Sequence, residues 1–444
     1  MTRLPPKSTC RTFLFLQGPH GPFFAELADG LRRAGHEVLR VGLNRGDAAY
    51  WPDRARYRAF TETMDVWPAW LAGLVDDEGV TDIVMYGDTR PIHQSAKDIA
   101  VARGLTVHCF EEGYLRPYWI TYERGGANGN SPLMEISVAE AAARVHDTEA
   151  VPADAPATWG SLWHHVYYGC MYHANILFRN GDYPRYRSHR QISVFREWLL
   201  HVRRLALIPA FALERTWATR RLLQSGRPYH VALLQLGHDA AMRDHSPMSS
   251  MAEFIEATIA GFAEGAPPHH LLVFKAHPLE DGREPIRRIV RQSAETAGVS
   301  DRVICISGGK LGPLLDRAKS AITVNSTAGQ QVLWRGLPLK SFGTAIYSKP
   351  EFVSDQPVAG FFANPTPPDQ TAYRLFRQFL LETSQVSGGF YSARGRATAL
   401  RLVVDLMLDP DGPYANCGDQ NATMLPNLRI VAPGQLDLVV KSRA

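Results

Sequence analysis

A chain of 444 residues with 45% hydrophobic and 21% charged side chains is too long for one small core, and two or three units of about 150 residues are expected. Its formal net charge of +4 is too weak for global nucleic-acid affinity, and no stretch comes near the roughly 18 apolar residues of a membrane span. Five cysteines, an odd number without CxxC or metal-ligand spacing, suit a reducing compartment with free thiols.

The basic N-terminus leads into only Phe13-Leu14-Phe15-Leu16, too brief for a signal-peptide core. Thr12–Leu16 reads as a strand, residues 18–24 as a glycine-rich turn, Phe24–Ala34 as an amphipathic helix stopped at Gly35, and Glu37–Gly42 as the next strand. After an aromatic, charged excursion, Asp82–Tyr86 gives a strand ending in Gly87-Asp88. A helix over 92–103, Gly104 and a strand over 105–110 complete the alternation. This rhythm predicts a parallel sheet with right-handed crossovers, a Rossmann-like unit over 1–134. It lacks a GxGxxG with a trailing acid, so no dinucleotide cofactor is expected.

Residues 135–228 break the alternation. They are rich in Trp, Tyr, His and Arg, and the spacing of Val194, Trp198, Leu199, Val202, Leu205 and Leu207 predicts helices. From Arg179 to Arg227 eleven Arg stand against Asp182, Glu197 and Glu214, with no Lys. Alternation then resumes with strands over 230–235, 271–276, 302–305, 320–324 and 338–342. Between them lie helices over 250–263, 284–297, 311–317 and 328–335, which predicts a second Rossmann-like unit over 229–370. Helices over 371–384 and 393–408 and a Pro- and Gly-containing tail form a last segment, 371–444, expected to pack back on the N-terminal unit. The expected fold class is therefore α/β, with two Rossmann-like domains facing a cleft and a helical, Arg- and aromatic-rich insertion between them.

The chemistry concentrates where apolar runs stop. Residues 270–282, HLLVFKAHPLEDG, end a buried strand in Lys275, His277 and Pro278, and in an open α/β sheet such side chains face the ligand crevice. A cation, an imidazole and a rigid Pro suit a phosphate. Residues 321–329, AITVNSTAG, repeat the arrangement with Asn325, Ser326 and Thr327 where a helix begins, a second anion-binding group whose plainer use is N-capping. Two such sites in one unit suggest a nucleotide donor. Asp239 follows the first strand of this unit and stands at the cleft or caps the next helix. Glu111 and Glu112 end the strand of the first unit, where one can act as a base or pair with Arg116.

Several longer segments make the pattern specific: FLQGPHGPFFAELADGLRRAGHEV with RVGLNRGD, then DIVMYGDTRPIHQSA, FEEGYLRPYWITYERGGANGNS, LLQLGHDAAMRDHS, KAHPLEDG, TVNSTAG and GTAIYSKP. In this order they resemble the bacterial capsule-synthesis family of KpsS and KpsC over roughly residues 12–350. The resemblance implies a GT-B-like glycosyltransferase: a retaining β-Kdo transferase that uses CMP-Kdo to start a glycolipid anchor on a phosphatidylglycerol-type lipid. It assigns Asp239, with Gln235 in a QxxxD motif, as the nucleophile of two successive displacements, and Glu111 as the base for the acceptor. Lys275 and His277 then meet the departing CMP phosphate together with Asn325, Ser326 and Thr327. Arg116 orients the base or binds the Kdo carboxylate, and Glu112, Asp88 and His20 line the site or support it, beside Arg90 and His93. No metal or other cofactor is expected, since His238, His245 and Asp244 match no ligand spacing.

The implied partners are the CMP-sugar donor, an anionic phospholipid acceptor and the capsule synthesis and export machinery, with no nucleic acid. The implied place is the cytoplasmic side of the inner membrane, held peripherally. There the insertion, with Trp198, Leu205, Leu207 and Trp217 against Arg203, Arg204, Arg220 and Arg221, can lie on an anionic leaflet or stand as a solvated helix. Two rivals remain at this point: a nucleotide-sugar epimerase of the same architecture, and a non-catalytic adaptor of the export machinery.

Overall fold

The computed structural model describes residues 10–116, 118–145, 162–187, 194–237, 240–277, 280 and 282–414. Its strands in chain order are β1 (Thr12–Phe15), β2 (Glu37–Gly42), β3 (Tyr57–Ala59), β4 (Asp82–Tyr86), β5 (Thr106–Glu112), β6 (Trp119–Arg124), β7 (Tyr229–Leu233), β8 (Leu271–Lys275), β9 (Val303–Ile306), β10 (Ser320–Thr323), β11 (Leu339–Ser341) and β12 (Gln385–Ser387). They form two sheets, ordered β12-β6-β5-β4-β1-β2-β3 and β11-β10-β7-β8-β9. The second sheet is parallel throughout, and the first is parallel except where β6 runs against β5 and β12. Strand order therefore reverses direction between β1 and β4 in one sheet and between β7 and β10 in the other. These reversals open the crevices in which α/β folds hold ligands.

The continuous apolar runs of β7 and β8 follow from burial on both faces, the normal state of a parallel sheet flanked by helices. In the first half, helix Phe23–Arg33 buries Phe23, Phe24, Leu27, Ala28 and Leu31 on one face, and helix Ala393–Leu408 packs against it. The other C-terminal helix, Gln370–Glu382, goes elsewhere: Tyr373, Phe376 and Phe379 join a core that also holds Tyr114, Leu133, Val231 and Val273. That core spans the two halves. Lys349 adds to the seam, its Nζ donating to the carbonyls of Leu133 and Met134 at 2.9 and 2.8 Å.

Strands β3, β6 and β12 and the helices Trp67–Asp77 and Val138–Ala143 are additions to the sequence reading. The insertion forms two long helices, Leu162–Arg179 and Val194–Gln224. The first lies against the short helix Arg45–Ala49 of the first half. The second reaches the other half, where Glu214 pairs with Arg287 at 2.5 Å. The insertion thus touches both halves. Among the described residues, no helix is long and apolar enough to cross a membrane.

Candidate active site

The second crevice is built around a reciprocal amide pair. Gln235, just past β7, donates from Nε2 to Asn325 Oδ1 at 2.8 Å and accepts from the Asn325 backbone N–H at 2.9 Å. Asn325 Nδ2 also donates to the carbonyls of His245 and Thr344, at 3.0 and 3.3 Å. Gln235 and Asn325 thereby fix the reversal point between β7 and β10. Ser326 and Thr327 follow at the half-buried surface, where Ser326 Oγ accepts from the Ala328 N–H at 3.2 Å. The helix beyond them, Gly329–Trp334, has only six residues. An anion here would rest on the two hydroxyls and nearby N–H groups more than on a helix dipole.

On β8, Lys275 is 5% exposed and its ammonium donates to the Gly308 carbonyl. Burial lowers its pKa to about 8, and the neighbouring Arg215 guanidinium pushes the same way. The two cations thus share one corner. Arg215 comes from the long insertion helix and lies so close over Gly309 that a Cβ there would meet its Cδ at 2.2 Å. His277 follows two residues after Lys275, with its carbonyl accepting from the Glu280 N–H at 3.0 Å.

In the first half, Glu111 and Glu112 are the last two residues of β5, inside the strand, and so point to opposite faces. Glu112 accepts from Tyr86 Oη at 3.3 Å. Glu111 turns over the β4 end: its Oε1 accepts from the Glu112 N–H at 3.0 Å, and its Oε2 lies 3.4 Å from where a Cβ on Gly87 would stand. Gly87 has φ +68, a conformation that costs other residues strain. Arg116 is exposed, and its Nε donates to the Gly113 carbonyl at 3.3 Å.

Asp88 is 1% exposed and is held by Lys97 at 2.9 Å, by Asn130 Nδ2 at 2.9 Å and by the Ala127 N–H at 3.4 Å. Its role in this geometry is to clamp the 127–130 loop. That loop reaches the other half: a Cβ on Gly129 would meet His245 Nδ1 at 2.3 Å. A small cavity opens beside this contact, lined by Tyr114 and Asn128 from the first half and by Asn325, Thr327, Gln330 and Tyr347 from the second. His93 Nδ1 lies 2.5 Å from the Gly87 carbonyl, and Arg90 Nη1 donates to Gln17 Oε1 at 2.8 Å across the first sheet's reversal point.

His20 stacks on Tyr172 of the insertion, with ring centroids 4.3 Å apart. Tyr172 Oη receives hydrogen bonds from Gln17 and Asn44, both at 2.9 Å, and donates to Asp47 at 3.2 Å. The insertion therefore plugs the first crevice with an aromatic wedge. Asp239 and His238 lie outside the described residues, as does Pro278. Among the described residues, no three His, Cys, Asp or Glu gather as a metal-binding group.

Sequence reasoning missed Tyr114, Asn128, Tyr172 and Arg215. Tyr114 and Asn128 lie inside the quoted segment FEEGYLRPYWITYERGGANGNS, which was the available signal. Nothing in the sequence singles out Arg215 from the other ten Arg of its segment, because its place depends on how the helix docks.

The family described as "Capsule polysaccharide biosynthesis protein" matches residues 81–391. The capsule polysaccharide export protein KpsS of Escherichia coli is 31% identical over 382 residues, covering 86% of this chain and 97% of its own. The capsule polysaccharide modification protein LipB of Neisseria meningitidis serogroup B is 31% identical over 397 residues, covering 86% and 92%. Among solved structures, the Thermosulfurimonas dismutans KpsC β-Kdo 2,7 transferase aligns at TM-score 0.44 and 11% identity, over 89% of this chain and 100% of that one. With its two parallel α/β halves and this extent of matching sequence, the chain belongs to the capsule polysaccharide biosynthesis protein family.

Proposed function

We propose that this protein transfers Kdo from CMP-Kdo, with retention, to a phosphatidylglycerol-type lipid, and so starts the glycolipid anchor of a capsule. The observation that carries the reading is the seam between the halves, where Tyr114 and Asn128 of the first half and Asn325 and Thr327 of the second line one cavity, beside the Gln235–Asn325 amide pair. In this reading Asp239 attacks the anomeric carbon as CMP leaves, and the acceptor hydroxyl then displaces Asp239. Glu111 takes the acceptor proton, while Lys275, His277, Ser326 and Thr327 hold the phosphate. Arg215 reinforces Lys275. No metal or other cofactor takes part, and the protein works at the cytoplasmic face of the inner membrane beside the capsule machinery.

The test follows CMP release by chromatography with and without a phosphatidylglycerol acceptor. Release that requires the lipid supports transfer. Rapid donor turnover with no acceptor points to the epimerase, and no turnover under any lipid leaves the adaptor.

A further inference from the structure

Twelve large hydrophobic side chains are exposed among the described residues, and nine of them lie on the two insertion helices. On Leu162–Arg179 they are Trp163, Tyr167, Met171 and Phe178, at spacings of four and seven that place them on one face. The opposite face, with Tyr172, His173 and Ile176, is buried against the first half. The helix is thus inverted: tyrosine and histidine with polar atoms look inward, and Trp163 and Phe178 are 69% and 81% exposed.

The second helix repeats the motif. Phe195, Leu199, Leu213 and Trp217 share an exposed face with Arg203, Arg220 and Arg221, and Arg221 stands 5.3 Å over the Trp217 ring. Arg179 at the end of the first helix, Arg187 beyond it and Arg196 at the start of the second are exposed. Scattered apolar side chains on a surface are ordinary, but a stripe of them along each of two touching helices is not. Apolar rings among arginines, without lysine, fit a surface that is greasy beneath and negative on top.

We infer that the exposed faces of Leu162–Arg179 and Val194–Gln224 together form a platform that seats on an anionic lipid bilayer, with Trp163, Tyr167, Phe178, Leu213 and Trp217 entering the acyl boundary and the arginines meeting headgroup phosphates. The platform deepens the lipid-acceptor reading, since the same two helices place Tyr172 in the first crevice and Arg215 beside Lys275. A bilayer seated there lies next to both halves of the site.

The experiment is vesicle sedimentation of the full chain without donor, comparing neutral phosphatidylcholine with vesicles containing phosphatidylglycerol, at low and high salt. The wild type is expected to bind the anionic vesicles at least tenfold more strongly, and high salt to weaken that binding. Two variants, W163S/Y167S/F178S/W217S and R203Q/R220Q/R221Q, should each lose binding by about tenfold or more. V101S, which changes an exposed valine on another helix, should bind as wild type. Circular dichroism confirms that each variant is folded.

Equal binding to both vesicle types, binding to neither, or variants that bind as wild type overturns the proposal. So does a wild-type dimer in sedimentation velocity that the four-residue variant converts to monomer without any vesicle binding, since the face then covers a second copy. A short-chain, water-soluble phosphatidylglycerol separates this idea from the transferase reading. The platform variants should use it at the wild-type rate and fail only on vesicles, whereas a wild type that binds vesicles but never transfers refutes the transferase reading alone.

Discussion

Replacing Glu123 by Gln removes a fully buried carboxyl on β6 that is surrounded by three hydroxyls, those of Tyr114, Ser131 and Tyr414. Burial raises its pKa from 4.5 to about 7, against the opposing effect of the hydrogen bonds from Ser131, Tyr114 and Tyr414. The gap from 4.5 to about 7 is about 2.5 units, which at about 1.4 kcal/mol each is roughly 3 kcal/mol. Between these two values the unfolded chain has released the proton and the folded chain still holds it, so stability falls as pH rises and the loss is complete above the folded value. Gln has no such proton. Chemical unfolding followed by tryptophan fluorescence, at about pH 4.5 and about pH 8, should therefore show the variant gaining roughly 3 kcal/mol relative to wild type across that interval. A difference that stays constant, or that moves the other way, would mean the hydroxyls keep the carboxylate ionised and would refute the reasoning.

Other consequences are separately measurable. Because burial and Arg215 lower the Lys275 pKa to about 8, CMP affinity measured by calorimetry should fall as pH rises through that value. K275M should lose about ten- to a hundredfold in affinity together with that pH dependence, and K275R should flatten the profile. His230 is buried and neutral between Ser320 and His270 at 2.8 and 3.0 Å, and burial lowers its pKa to about 3, with His270 adding to the effect. Its contribution to stability is present above 6.5 and is lost as pH falls toward about 3, so H230Q should melt with a shallower acid dependence than wild type. Tyr172→Phe deletes the hydroxyl shared by Gln17, Asn44 and Asp47, and thermal unfolding should show a cost of about 1–3 kcal/mol.

What the sequence made legible follows from how each element is buried. Strands β4, β5, β7, β8 and β10 are apolar runs that stop at Gly or polar residues, and those stops mark the crevice edges where Gly87, Gln235, Lys275 and Asn325 stand. Strands β3 and β12 have three residues each, too few for an alternation to register. Strand β6 alternates less clearly because it buries Glu123 among apolar neighbours, a pattern that only the hydroxyls around it explain. Helix Leu162–Arg179 offers apolar residues on both faces, so periodicity cannot tell which face is inside, and the wedge made by Tyr172 stays hidden until its partners Gln17 and Asn44, just past β1 and β2, are placed. The joining of the halves through Gly129 and His245, and of the insertion to the second half through Arg215 and Gly309, links residues far apart in sequence and has no local trace.

The central claim is that a carboxylate of the first half and a cation of the second serve one transfer reaction. Its most direct test is mass spectrometry of a fluorescent phosphatidylglycerol analogue after incubation with CMP-Kdo and wild type, E111Q or K275M. The account predicts an acceptor heavier by one Kdo with wild type and a rate lower by about 10²- to 10⁴-fold with E111Q, as loss of a general base requires. K275M should be rescued in part by high donor concentration. An unchanged acceptor with wild type across lipid types, or full product from E111Q, would contradict it.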